Sequence, residues 1–105
     1  MDNEEWRDIP GWEGKYAAST LGRIKSLSRI TKFVDGRTRM YHESILRQTK
    51  DNDGYLRVSF WGNGAKQTRP VHSVIAMTFL GDRTPGMEVH HKNGDRYDNR
   101  IVNLE

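Results

Sequence analysis

The stretch HSVIAMTFLG, residues 72 to 81, marks the point where the chain changes from a strand pattern to a helix pattern. Val74, Ile75, Met77 and Phe79 are spaced for one apolar face of a helix, and Gly81 is a typical helix end. The same run also fits a continuous buried strand, which is the alternative. If the helix forms, His72 or Ser73 is predicted to cap its start.

The residues before this stretch read as β-hairpins. Each pair of short apolar runs is separated by a glycine-containing turn, which is typical of antiparallel strands. The predicted pairs are residues 16–19 with 23–27, residues 30–34 with 38–42, and residues 55–61 with 66–71. Alternation within residues 55–61 predicts an inner set, Leu56, Val58 and Phe60, and an outer set, Tyr55, Arg57, Ser59 and Trp61. The outer face is suited to phosphates or bases, or is simply solvated.

The residues after the predicted helix include two adjacent histidines, in the sequence VHHKNGD at residues 89 to 95. Residues 87–91 are predicted to be extended, with a hairpin turn at Asn93-Gly94 and a final helix from about Arg100, capped by Asp98 or Asn99. Neighbouring strand residues point in opposite directions, so the histidines are not expected to bind one ion together. They can instead flank a substrate group, or be ordinary polar residues near a turn.

Composition limits the classes of protein that this chain can represent. Its 105 residues fit one small domain, and the absence of cysteine excludes disulfides and thiolate metal sites. No apolar run is long enough for a signal peptide or a membrane span, so a soluble intracellular protein without a membrane partner is expected. Residues 15–50 hold nine Lys or Arg against two acids, whereas residues 1–14 hold five acids and one base. This asymmetry favours a polyanion partner; the alternative is a solvated surface.

Two parts of the sequence together resemble a known family. Residues 71–105, VHSVIAMTFLGDRTPGMEVHHKNGDRYDNRIVNLE, resemble the HNH (ββα-metal) endonucleases of the phage homing type. Residues 4–27, EEWRDIPGWEGKYAASTLGRIKSL, resemble the nuclease-associated modular (NUMOD-like) DNA-binding element. The resemblance implies an α+β fold with a β-rich NUMOD-like DNA-binding region at 1–70 and an HNH region at 71–105. It also implies metal-dependent cleavage of double-stranded DNA by a phage-encoded protein in the cytoplasm of a bacterial host.

The resemblance assigns roles to particular residues. His91 would be the catalytic general base, a role that suits imidazole because its ordinary pKa lies near neutrality. His90 would be a metal ligand, and Asn103 would be the central asparagine of the catalytic motif, holding the loop around the base. Asn99 is expected to be a helix cap or loop brace and His72 a structural hydrogen-bonding residue. Lys92 and Arg96 could contact phosphate or be solvated. The residues predicted to contact DNA are Arg23, Lys25, Arg29, Lys32, Arg37, Arg39, Arg57 and Arg69.

The family pattern includes a third motif residue, His or Asn, on a helix beyond the central asparagine, whereas this sequence stops at Glu105, two residues after Asn103. The HNH region is therefore expected to be incomplete, in either a shortened chain or a natural remnant. A divalent ion, Mg²⁺ or Mn²⁺ and alternatively Zn²⁺ or Ni²⁺, would then be weakly held. Two alternatives stay open: a catalytically inactive DNA-binding or regulatory protein, and a protein-interaction module.

Overall fold

The computed structural model describes residues 4–62, 65–81 and 89–105, apart from the side chain of Thr31. The strands are β1 (Trp6–Asp8), β2 (Tyr16–Ser19), β3 (Ile24–Ser26), β4 (Arg29–Lys32), β5 (Thr38–Tyr41), β6 (Ser44–Ile45), β7 (Thr49–Lys50), β8 (Leu56–Gly62) and β9 (Ala65–Pro70). One helix, α1 (Val71–Leu80), and a short 3₁₀ turn (Ile101–Asn103) follow. The predicted α+β fold is confirmed.

The strands form three antiparallel groups. A four-stranded sheet has the order β1-β2-β3-β6, a three-stranded sheet has the order β7-β8-β9, and β4 and β5 pair only with each other. Strands β2 and β3 form the first predicted hairpin, and residues 20–22 between them are named here the β2–β3 turn. Gly22 in this turn has a φ of 85°. That left-handed conformation favours glycine, as the sequence predicts. Residues 63 and 64, in the predicted turn between residues 55–61 and 66–71, and residues 87 and 88 of the predicted extended run 87–91 lie outside the described residues.

Helix α1 covers the two larger sheets, and the core lies between them. The side chains of Tyr16 and Phe60 meet edge to face at 4.8 Å, and Trp12 packs against both rings. The Tyr16 hydroxyl also accepts a hydrogen bond from the Trp61 backbone N at 3.0 Å, which joins β2 to β8. The buried hydrophobic core consists of Ile9, Tyr16, Ala18, Ile24, Val58, Phe60, Val71, Val74, Ile75 and Leu104.

Helix α1 and strand β8 confirm the sequence patterns. Val74 and Ile75 are buried in the helix, and Val58 and Phe60 are buried in β8 while Trp61 is exposed. The predicted helix cap is wrong, because α1 begins directly after Pro70 and has no side-chain cap hydrogen bond. Pro70 has an extended backbone, with φ at −63° and ψ at 136°, and its side chain carries no group that can accept a hydrogen bond from the first helical N–H groups. Among the described residues, no helix is long and apolar enough to cross a lipid bilayer.

The β4–β5 pair forms an exposed ribbon (residues 29–41), in which Ile30 pairs with Met40 and Lys32 with Thr38. The side chains of Ile30, Met40 and Val34 are largely exposed. Successive strand residues alternate between faces, so Arg29, Arg39 and Tyr41 share the opposite face of the ribbon. The ribbon therefore presents two surfaces outside the core: Lys32 lies on the face of Ile30 and Met40, and Arg39 lies on the opposite face.

Candidate functional site

The two adjacent histidines lie on a hairpin that packs against the core. His91 pairs with Leu104 in an antiparallel bridge, and the backbones of His90 and Glu105 exchange hydrogen bonds of 2.9 and 3.1 Å. Because paired residues share a face and neighbours alternate, His91 lies on the side of buried Leu104, whereas His90 is exposed. Residues 89–105 are named here the His91 hairpin. The imidazoles of His90 and His91 lie on opposite sides of its first strand, as expected.

The end of the His91 hairpin differs in detail from the prediction. A turn forms at Asn93-Gly94, with Gly94 at a φ of 76°, but the chain passes through a loop before pairing again at Leu104. The predicted cap is wrong, because Arg100 precedes a 3₁₀ turn of three residues that has no side-chain cap. The two predicted cap side chains have other partners. The carboxylate of Asp98 binds the guanidinium of Arg100, and the amide of Asn99 binds His91.

Asn103 holds the loop of this hairpin together. Its Oδ1 accepts a hydrogen bond from the backbone N of Asn93 at 3.1 Å, and its Nδ2 donates to Asn93 Oδ1 at 3.0 Å and to the Asp98 carbonyl at 2.8 Å. The side chain is buried. Both amide hydrogens and the amide oxygen are therefore used within the loop, which fits the bracing role that the resemblance implies.

The decisive geometry of the site is the contact between His91 and Asn99. His91 Nε2 lies 2.7 Å from Oδ1 of Asn99, and Asn99 is buried. Because a carbonyl oxygen can only accept, the proton of this hydrogen bond sits on Nε2. In the neutral imidazole the other nitrogen, Nδ1, then carries the lone pair and can accept a proton. Asn99 was expected to be a cap or brace; in the structure its side chain is hydrogen-bonded to the predicted base.

Other polar and aromatic side chains surround His91. The ring of His72 lies edge-on to it at 5.2 Å, and Tyr55 lies 5.0 Å from His72 and 6.1 Å from His91 between ring centres. The guanidinium of Arg96 stacks over Tyr55 at 4.9 Å and donates to the Asp53 carbonyl at 2.6 Å. A polar cavity of about 320 Å³ borders Tyr55, His72 and Val89. The ring of Tyr55 thus lies beside the predicted base, and it carries the guanidinium of Arg96, a residue whose role the sequence alone left undecided.

Asp98 is the strongly perturbed acid in this hairpin. The Arg100 guanidinium hydrogen-bonded to it, helped by the backbone N–H of Arg100 and by Asn93, lowers the pKa of Asp98 to about 2, although partial burial opposes the shift. The carboxylate of Asp98 therefore stays ionised at neutral and at mildly acidic pH. Its carboxylate also accepts from Asn93 Nδ2 at 3.0 Å, so the ion pair helps to fix the same loop that Asn103 braces.

The described residues do not by themselves form a metal site. Within residues 4–62, 65–81 and 89–105, no group of three or more His, Cys, Asp or Glu side chains is placed to hold an ion. The exposed imidazole of His90 is one available donor from the predicted set. One nitrogen donor does not fit a hard divalent ion, which needs several oxygen or nitrogen ligands.

The residues predicted to contact DNA fall into different environments. Arg23, Lys25, Arg37 and Arg57 each pair with a carboxylate, those of Glu4, Glu43, Asp35 and Asp51. Arg29 acts as a structural clamp between neighbouring segments of the chain. Its guanidinium donates to Ser26 Oγ and two backbone carbonyls and stacks on Tyr16 and Tyr41. Lys32, Arg39 and Arg69 are exposed, and no carboxylate forms an ion pair with them in the described part of the chain.

Comparison with known proteins decides the family. The family model of the NUMOD4 motif matches residues 4–61, more than half of the chain. The chain belongs to the NUMOD4-motif family. A second model, described as HNH endonuclease, matches residues 69–105 of this NUMOD4 protein and so includes the whole His91 hairpin. The resemblance to HNH endonucleases that carry a NUMOD-like element is thereby confirmed.

Relatives of this NUMOD4 protein are endonucleases by name. DNA endonuclease I-HmuI of Bacillus phage SP01 is 32% identical over 100 residues, which cover 95% of this chain and 50% of the relative. An HNH endonuclease of Acanthamoeba polyphaga mimivirus is 32% identical over 107 residues, or 98% of this chain and 23% of the relative. The solved structure titled "DNA binding and cleavage by the HNH homing endonuclease I-HmuI" matches with a TM-score of 0.73 at 32% identity, covering 95% and 50% of the two chains. The chain thus spans half or less of the length of these relatives.

Proposed function

We propose that this chain binds double-stranded DNA and hydrolyses its phosphodiester bonds, with His91 as the general base. The observation that carries the proposal is the 2.7 Å contact between His91 Nε2 and Asn99 Oδ1, which leaves Nδ1 as the proton acceptor. The endonuclease names of the relatives support the same chemistry. A base with a fixed tautomer is what water activation at neutral pH requires.

The proposed reaction uses the two nitrogens of His91 differently. Nδ1 accepts a proton from the attacking water as its oxygen bonds to phosphorus, the bond from phosphorus to one ester oxygen breaks, and the leaving oxygen takes a proton from bulk water. The imidazolium formed in this step keeps its Nε2–H directed at Asn99 Oδ1, whose partial negative charge stabilises the new positive charge. Arg96, held by Tyr55 and by the Asp53 carbonyl, is a cation of the same hairpin that can face the phosphate backbone.

DNA binding rests on the distribution of charge and on the exposed ribbon. Residues 15–50 hold nine basic residues against two acids, an excess of positive charge that attracts the phosphate backbone. A two-stranded ribbon such as residues 29–41 fits the width of the major groove. Lys32 and Arg39 on this ribbon are the exposed cations best placed to contact phosphate or base edges, because the described acids form no ion pair with them.

HNH endonucleases generally use a divalent metal ion, which neutralises charge at the scissile phosphate. The described residues of this chain offer His90 but no ligand cluster, so they do not fit such an ion by themselves. The same observation favours a second candidate function, DNA binding without cleavage.

A plasmid assay separates the two functions. The purified 105-residue chain is incubated with supercoiled plasmid, alone, with Mg²⁺, with Mn²⁺ and with EDTA, while binding to a labelled duplex is followed by anisotropy. Relaxed or linear product in any condition supports hydrolysis. Salt-sensitive binding without product under every condition overturns hydrolysis for this chain and supports the second function. Absence of both binding and cleavage contradicts both functions.

A further inference from the structure

A glycine of the NUMOD4 segment touches the asparagine that holds His91. A Cβ atom at Gly22 would lie 2.9 Å from the backbone carbon of Asn99, 3.0 Å from its oxygen and 3.2 Å from its Cβ. Gly22 also has a φ of 85°, a conformation that side-chain-bearing residues rarely adopt. Glycine is therefore required at this position for two reasons: the φ angle is positive, and a side chain would collide with Asn99.

The surrounding bonds make this contact rigid. The backbone N of Ile101 donates to the Thr20 carbonyl at 2.8 Å, which ties the His91 hairpin to the β2–β3 turn two residues beyond Asn99. The turn is itself fixed, because Ser19 Oγ accepts from the backbone N of Leu21 and of Arg23 at 3.2 and 3.1 Å. Gln48 Nε2 also donates to the Gly22 carbonyl at 2.9 Å.

Packing is what orients the Asn99 amide. Its Oδ1 binds His91, but its buried Nδ2 has no hydrogen-bond partner among the described residues of the chain. The orientation of the amide is therefore set by the position of the Asn99 backbone and by the atoms around it. Gly22 contacts that backbone directly, so a displacement at Gly22 is passed to the oxygen that fixes the His91 tautomer.

We propose that the β2–β3 turn of the NUMOD4 segment positions the base. Gly22 packs against the backbone of Asn99 and fixes its position, and the Asn99 side chain then holds His91 as the Nε2–H tautomer. In this view the NUMOD4 segment does more than contact DNA, because it sets the geometry of the HNH hairpin. The catalytic consequence rests on the proposed function of His91, whereas the structural coupling does not.

The coupling is measured in the intact chain by ¹⁵N NMR of the histidine side chains, which distinguishes a protonated from an unprotonated ring nitrogen. Asn99→Ala defines the signature of a His91 that has lost its partner. Gly22→Ala is expected to move the His91 nitrogen shifts towards that signature. Gly14→Ala is the matched control, because Gly14 has a similar φ of 78° but open space where a Cβ would lie. The exposed His42 should be unchanged in every variant.

Gln48→Leu tests the coupling without the strain of a new Cβ. It removes the hydrogen bond to the Gly22 carbonyl, and a smaller shift of His91 in the same direction is expected. The proposal is overturned if both Gly22→Ala and Gln48→Leu fold and leave the His91 nitrogen shifts at their parent values, or if Gly14→Ala changes them equally.

Cleavage gives a second readout that depends on the proposed function. If the parent chain cleaves plasmid, Gly22→Ala should lower the single-turnover rate about 10- to 100-fold at unchanged DNA affinity, as expected when a base is misplaced by a fraction of an ångström. A loss of affinity instead of rate contradicts positioning. If His91 proves dispensable for cleavage, the proposed function fails, and the NMR result still decides the coupling.

Discussion

His91 and Asn99 are eight residues apart in the chain and joined by a 2.7 Å hydrogen bond between Nε2 and Oδ1. The bond makes the two ring nitrogens of His91 inequivalent, since one donates to Asn99 and the other is left to accept a proton. Serine proteases use a carboxylate in an analogous position to orient a catalytic imidazole. A neutral amide achieves the same orientation without adding a negative charge beside the base.

Replacing the amide by a carboxylate should therefore change the pH dependence of the reaction. In Asn99→Asp a negative charge beside the imidazole favours its protonated form, so the neutral base appears only at higher pH. We expect the pH midpoint for cleavage to rise by about one unit or more, while Asn99→Leu lowers the rate without a similar rise. Single-turnover rates between pH 5 and 9 measure this effect. An Asn99→Asp profile that overlays the parent profile would contradict the assigned role.

Asn103 should matter for stability as well as for activity. Asn103→Ala removes three hydrogen bonds and leaves the Asn93 N–H and the Asp98 carbonyl without their partner. The expected loss is about 2 kcal/mol in the free energy of unfolding. Urea titration measures it, and Asn52→Ala, at an exposed turn residue, is the matched control. Equal stabilities for the two variants would argue against a bracing role.

The lowered pKa of Asp98 predicts that the folded state loses stability in acid. Its folded-state pKa is lowered to about 2 by the Arg100 hydrogen bonds, and the ordinary value is 3.8. A lowered pKa means that its contribution is present above pH 4 and is lost as the pH falls towards 2. After allowance for solvent screening the contribution is at most about 2 kcal/mol. Urea titrations should show Asp98→Asn less stable than the parent at pH 6 and nearly equal at pH 2; a constant difference would be inconsistent with the ion pair.

Lys32 and Arg39 should contribute to the salt dependence of DNA binding. Replacing both by Gln is expected to reduce the slope of log affinity against log salt by about 2, because each phosphate contact contributes about 0.9. The double variant Arg7→Gln and Lys66→Gln removes the same formal charge from strands outside the ribbon and serves as the control. Anisotropy titrations at several salt concentrations measure both. Equal changes in the two slopes would mean that net charge, not the ribbon, determines binding.

The strands and the helix were predictable because their patterns are local. Alternation in β8 places Val58 and Phe60 inside and Trp61 outside, and the apolar spacing in α1 buries Val74 and Ile75. Both predicted helix caps were wrong, because neither the helix nor the 3₁₀ turn begins at the polar side chain that was expected to cap it. Pro70 precedes α1, and the amide of Asn99 binds His91 instead of the 3₁₀ turn.

The site was predictable only in part, because its assembly depends on contacts distant in sequence. The histidine pair and the bracing asparagine could be identified from the family resemblance. No periodicity indicates that Gly22 contacts Asn99, that Tyr55 and His72 lie beside His91, or that Arg29 is a clamp. The charge count of residues 15–50 predicts a surface for a polyanion, yet it does not show that three of these cations, Arg23, Lys25 and Arg37, are paired with carboxylates of the same chain.

The most direct test of the central claim compares cleavage and affinity in His91→Gln under identical conditions. The exposed His42→Gln is the control, because it removes an imidazole outside the hairpin. If His91 is the base, His91→Gln lowers the single-turnover cleavage rate by at least about 100-fold and leaves the affinity for the duplex within about twofold, less than 0.5 kcal/mol. Cleavage at the parent rate, or a loss of affinity as large as the loss of rate, would contradict the claim.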